Sequence, residues 1–208
     1  HAGLEHNKTD TSGELTIQDK DNNGSLEAAG GFKGAGIGSA GSNDAQVKIT
    51  GGNITATTSD DWGAGIGSGS YGTGTVEITG GEINATGGYL GAGIGGGCNG
   101  SGNVTISGGT ITAAGSDGAA GIGGGYYNGA TVTITGDAVI KNASSTKYGA
   151  GIGGGNGSDG NVTISGNAKI ENATGGYGAA GIGGGAFSSP DKIGNGNVVI
   201  KDNAKIDN

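Results

Sequence analysis

The chain has 208 residues, of which 55 are Gly, one is Pro and none is Met, and only 13% are charged. Glycine at this level far exceeds the usual share of about 7%, but there is no strict three-residue period for collagen, and the regular spacing of aliphatic residues excludes a disordered low-complexity chain. A net charge of −8, with lysine as the only basic residue besides histidine, argues against nucleic acid and an anionic membrane surface as partners, and no apolar run is long enough for membrane insertion.

Residues 1–13 read as a polar lead-in or the remnant of an added segment, and they hold both histidines, His1 and His6. The chain starts at His1 and stops at Asn208 inside a strand-like pattern. It therefore reads as a piece excised or processed from something larger, with neighbouring domains as partners. A first strand-like segment, "LTIQ", starts at Leu15. It is followed by "DKDNNG", which matches the first half of a calcium loop, with Asp19, Asp21 and Asn23 as oxygen ligands and the turn glycine at Gly24. Glu27 at the ninth place is a further candidate ligand, but the twelfth place is Gly30, where such a loop requires Glu. The competing reading is ordinary Asp/Asn/Gly turn composition.

Three motifs then recur with a common beat. "GAGIGGG" and its variants centre on Ile37, Ile66, Ile94, Ile122, Ile152 and Ile182, in steps of 29, 28, 28, 30 and 30 residues. A "VTIS"-type segment starts at Val47, Val76, Val104, Val132, Val162 and Val198. A third segment follows a few residues later: "NITA" at Asn53, "EINA" at Glu82, "TITA" at Thr110, "VIKNA" at Val139 and "KIENA" at Lys169. Apolar and polar residues alternate within these segments, as expected of strands with one buried face. Strands this short cannot form a stable sheet alone, but stacking successive units at about 4.8 Å pairs their backbones and buries a continuous core. The expected fold is all-β: a right-handed parallel β-helix over residues 14–208, a single domain. It has three short strands per coil of 28–30 residues, six full coils and partial end coils.

In "WGAGIGSG", strict alternation puts Ala64, Ile66 and Ser68 on one face and Gly63, Gly65, Gly67 and Gly69 on the other. With Ile66 in the core, the outer face becomes a floor of bare backbone, open to a ligand or to a second copy of the chain. All nine aromatic residues lie four or five positions from the isoleucine of a glycine segment. They are Phe32, Trp62, Tyr71, Tyr89, Tyr126, Tyr127, Tyr148, Tyr177 and Phe187. A bare strip bordered by rings suits a carbohydrate, with rings stacking on sugar faces and turn Asn and Asp bonding hydroxyls. Trp62 beside Asp60 and Asp61 is the leading candidate, with Tyr89 one coil on and Tyr71 at the far edge. The competing reading is that the rings stack on one another and close the corners of the solenoid.

The motifs "GAGIGGG" and "GNVTISGGTITA" make nearly the whole chain, from Leu15 to Asn208, resemble the Gly-rich right-handed β-helix repeats of secreted and wall-attached proteins of Gram-positive bacteria, a branch of the pectin-lyase-like superfamily. That resemblance implies an extracellular or cell-surface location. It also implies one of three activities: adhesin, carbohydrate-binding module or polysaccharide-active enzyme. Lyases of this superfamily use Arg or Lys beside a calcium-binding acidic cluster; here there is no Arg and no acidic cluster repeated on adjacent coils. Asp60 and Asp117 occupy similar loops two coils apart, too far for a hydrolytic carboxylate pair. Cys98, alone, is read as a small residue in a turn. The expectation is a non-catalytic extracellular module that binds carbohydrate. A passive stalk, a self-associating module and a carbohydrate-active enzyme are the alternatives. Ice binding by the outward Thr105, Thr133 and Thr163 is a lesser one, because Lys48, Glu77 and Val199 break that rank.

Overall fold

Valine, isoleucine and alanine fill the inward positions of every lap, and backbone pairing between laps does the rest. A computed structural model describes residues 1–5, 13–59, 62–187 and 193–207. These form a right-handed parallel β-helix of about six turns with three sheets and no helix. The Ile–Gly sheet holds seven two-residue strands, from Leu4–Glu5 through Ile37–Gly38 and Ile94–Gly95 to Ile182–Gly183. The second sheet holds seven, from Leu15–Ile17 to Gly196–Ile200, and the third runs from Ser25–Gly30 to Lys205–Ile206.

Pairing is parallel and in register. Ile66 faces Ile94 and Ile94 faces Ile122, while Val76, Val104 and Val132 align in the second sheet. In a middle lap, Val104, Ile106, Ile111, Ala113 and Ile122 all lie in one continuous core and are essentially inaccessible. The outward partners Thr105, Thr133 and Thr163 alternate with them, as the period-2 pattern requires. The isoleucine file is complete from Ile37 to Ile152 and loosens at Ile182, which is half-buried.

The change in step from 28 to 30 residues has two local causes. A longer turn after Ile134 adds Ala138, which joins the core, and a bulge in the third sheet adds Lys141, which is exposed. Ile111 pairs with Ile140 and Thr112 with Asn142, so the inward file recovers immediately after the extra residue. Of the segment expected to be a polar lead-in, residues 6–12 lie outside the described residues, while Leu4 pairs with Ile37 and packs against the core. One apolar residue suffices for a strand this short, and nothing periodic precedes it in the sequence.

The glycine floor is not bare. Ala64 N–H donates to the Ser68 carbonyl at 3.0 Å, and the same closure recurs at Ala35, Ala92, Ala120 and Ala150. "AGIGS" is therefore a tight curve around its isoleucine rather than an extended strand, and strict alternation fails. The glycine after each isoleucine, from Gly38 to Gly183, has φ between 130° and 137°, a conformation L side chains rarely adopt. Every residue from Gly63 to Ser70 and from Gly91 to Cys98 is buried. What covers them is backbone: a β-carbon on Gly93 would stand 2.7 Å from both the Ala114 nitrogen and the Gly121 oxygen. The end of the third strand of the next lap lies where open ground was expected. The corresponding alanines, Ala35, Ala64, Ala92, Ala120 and Ala150, form a second fully buried ladder apart from the main core.

Candidate functional site

Two loops flank each Ile–Gly strand, and between them they carry the nine rings. In the loop that follows, the fifth position after the isoleucine is left-handed in four successive laps, at Tyr71, Asn99, Tyr127 and Gly157. In the loop that precedes, Lys33, Leu90, Asp117 and Gly118 are left-handed. Glycine and asparagine accept that geometry readily, whereas a bulky side chain resists it by about 1–2 kcal/mol. Tyr71 and Tyr127 thus hold their rings at positions where neighbouring laps use residues free of that strain. Both rings are exposed.

No ring belongs to the core. Phe32, Tyr71, Tyr89, Tyr127 and Tyr177 are exposed, and Trp62, Tyr126, Tyr148 and Phe187 are half-buried. They gather into groups along this edge. Phe32 and Trp62 stand 6.4 Å apart and share Lys33, whose ammonium lies 5.3 Å and 5.1 Å from their centroids. Trp62, the leading ring in the sequence, therefore already has a cation against its face. Asp60 and Asp61, expected beside it, lie outside the described residues, as does His6. Tyr148 and Tyr177 meet edge to face at 6.4 Å.

The densest group joins Tyr89, Tyr126 and Tyr127, all candidates from the sequence, to Phe187 and Lys147, which were not among the candidate ligand-binding residues. Tyr126 and Tyr127 have centroids 3.9 Å apart, and their hydroxyls are hydrogen-bonded at 2.9 Å. Tyr127 leans on Phe187, with centroids 5.7 Å apart and planes 32° from parallel. Asp117, in the loop of the same lap, receives the Lys147 ammonium at 2.6 Å and the Tyr89 hydroxyl. Asp117 and Lys147 come from successive laps, and only the stacking of coils makes them neighbours. The Asp117 bond holds the Tyr89 phenol above its ordinary range, and the same carboxylate raises the Lys147 ammonium. Burial, aided by the bond to Tyr127, pushes Tyr126 up strongly.

Small polar residues support these loops from beneath. Ser39 Oγ donates to the Asn43 carbonyl at 2.6 Å and accepts the Gly69 N–H at 3.2 Å; Ser68 repeats the arrangement with Gly72 and Gly97 one lap on. Cys98 is 3% exposed, its N–H donating to the Trp62 carbonyl and its carbonyl accepting from Tyr71. Burial pushes its thiol up to about 11, against an opposing pull from Lys33, which the fold brings near.

The acidic loop at residues 19–24 is tied into a turn. Asp19 accepts the Gly24 N–H at 2.7 Å and the Asp21 N–H at 3.3 Å, while Asn22 accepts the Gly52 N–H of the next lap at 3.0 Å. Asp21, Asn23 and Glu27 are exposed, Glu27 pointing outward from the third sheet. Among the described residues, no three His, Cys, Asp or Glu side chains group closely enough to hold a metal ion. No helix among them is long and apolar enough to cross a membrane.

Comparison with known families agrees with the architecture. Residues 47–70, 76–98, 104–126 and 162–186 match a family described as beta helix repeat. Each matched segment begins at the inward valine of a second-sheet strand and ends in the loop after the Ile–Gly strand, which is nearly one lap. The chain thus carries a β-helix repeat region. Comparisons with curated proteins and with solved structures gave no match.

Proposed function

We propose that this β-helix repeat region is a non-catalytic carbohydrate-binding module of adhesin type, displayed outside a Gram-positive cell as part of a larger protein. The observation that carries the binding role is the pair Tyr71 and Tyr127: exposed rings held at left-handed positions that other laps give to Gly or Asn. Backbone strain of this kind persists where something other than stability favours it. Exposed rings beside Asp and Lys side chains supply both the apolar face and the hydrogen-bonding groups that a sugar needs. The cellular setting rests on the resemblance of "GAGIGGG" and "GNVTISGGTITA" to surface-protein repeats. A glycan array followed by titration calorimetry tests the binding role. Wild-type protein is expected to bind a glycan that Tyr71→Ala and Tyr127→Ala bind more weakly, and unchanged binding in both variants overturns the reading.

The second reading is a passive stalk. It is favoured by the ring pairs Phe32–Trp62 and Tyr148–Tyr177, which spend part of their surface on each other. A stalk binds no glycan on the array.

A further inference from the structure

Ring faces and a fixed ion pair come together at one place on this edge. Asp117 is held by its own N–H, which donates to Thr146 Oγ1 of the next lap at 2.9 Å. Its carboxylate binds Lys147 Nζ at 2.6 Å and the Tyr89 hydroxyl, so side chains from three laps converge on it. Tyr126 packs on Gly118, where a β-carbon would stand 2.8 Å from the ring; only a glycine leaves space for it. Tyr126 interacts with both Tyr89 and Asp117, and passes a hydrogen bond to Tyr127, which leans on Phe187.

We propose that Tyr89, Asp117, Tyr126, Tyr127, Lys147 and Phe187 form a binding site for a neutral hexopyranose, which rests on the carbohydrate reading above and gives it a location and a ligand class. The C–H face of the sugar lies on the exposed Tyr127 ring and on the half-buried Phe187 ring beside it. A pair of adjacent hydroxyls meets Asp117 and Lys147. A hydroxyl both donates and accepts, so a diol can give a hydrogen bond to the carboxylate and take one from the ammonium without separating them. An acidic sugar fits poorly for two reasons. Its carboxylate would compete with Asp117 for Lys147, and it would enter the field of a chain with net charge −8. The site is also distinct from Trp62, whose ring faces Lys33.

Calorimetry with cellohexaose and with a galacturonate hexamer, at low and at physiological salt, tests the inference on wild type and on Asp117→Asn, Lys147→Gln, Tyr127→Ala and Trp62→Ala. Thermal melts of each variant verify folding; Tyr127 and Lys147 are exposed enough for their loss to be tolerated. The expected result is binding of the neutral oligomer, weakened about tenfold or more by Asp117→Asn and by Lys147→Gln, as loss of a charge-assisted hydrogen bond would give, and unchanged by Trp62→Ala. Neutral binding lost in Trp62→Ala but kept in Asp117→Asn and Lys147→Gln overturns the location and leaves the carbohydrate reading standing. Tighter binding of the galacturonate hexamer overturns the ligand class alone. Absence of binding to either oligomer, with a blank glycan array, overturns both.

Discussion

Gly65 and Thr86 lie so close across successive laps that a β-carbon on Gly65 would stand 2.8 Å from the Thr86 nitrogen and 2.6 Å from the Gly93 oxygen. Real β-carbons do not approach backbone atoms to that degree, and no flexible side chain is there to yield. Gly65→Ala is therefore expected to destabilise the solenoid by several kcal/mol, in the range reserved for severe core disruption. Gly41→Ala is the control: its site has nothing within 4 Å, and its φ of 59° costs only about 1–2 kcal/mol. Urea unfolding of both proteins checks this, and equal midpoints would contradict the close backbone packing.

The isoleucine file gives a graded expectation. Ile94 is fully buried between Ile66 and Ile122, so Ile94→Ala should cost about 2–5 kcal/mol. Ile182 is half-buried at the end of the file, and Ile182→Ala should cost clearly less. Thermal or urea denaturation of the two variants measures the difference; the reverse order would contradict the file.

Tyr71 separates stability from binding. It sits at φ 70° and is 55% exposed, so Tyr71→Gly removes strain while giving up little buried surface. The folded state is expected to gain up to about 1 kcal/mol once the greater freedom of glycine in the unfolded chain is subtracted. Glycan affinity is expected to fall in the same variant. A melting temperature and a calorimetric titration on one preparation read both effects.

Cys98 should behave as a buried thiol. Its pKa is raised to about 11 because burial disfavours the thiolate. The unfolded chain ionises near 8.5, so the folded protein holds this proton more tightly. That contribution to stability is complete below the unfolded pKa and is lost as pH climbs from there through about 11. Labelling with an aromatic disulfide reagent at pH 8 is expected to be far slower than for free cysteine, and to speed up on addition of urea. Rapid labelling of the folded protein would contradict the burial.

Much of the fold was legible because a parallel solenoid repeats one local problem many times. Val104, Ile106 and Ile111 recur at fixed places in the sequence, and a lap of 28 residues returns Ile94 to Ile66. The longer laps were visible as steps of 30, but only pairing shows that Ala138 and Lys141 are the added residues, one turned inward and the other out. The bare floor was misread for an equally specific reason. Alternation assumes an extended strand, and a glycine at φ near 131° does not extend.

The site was legible only as a set of rings. Their spacing from the isoleucines put Tyr89, Tyr126 and Tyr127 on one edge, and the structure keeps them there. Asp117 and Lys147 stand thirty residues apart and Lys33 and Trp62 twenty-nine, one lap in each case, but the repeat did not say that these side chains turn toward each other.

The amino-acid sequence by itself determined the lap, the inward file and the need for glycine, because side-chain period and backbone freedom are local properties that repetition amplifies. Tertiary structure alone decided what covers the glycines and which charges meet the rings. Those contacts lie between laps, where spacing along the chain sets which positions stack but only the path of each loop sets which side chains meet.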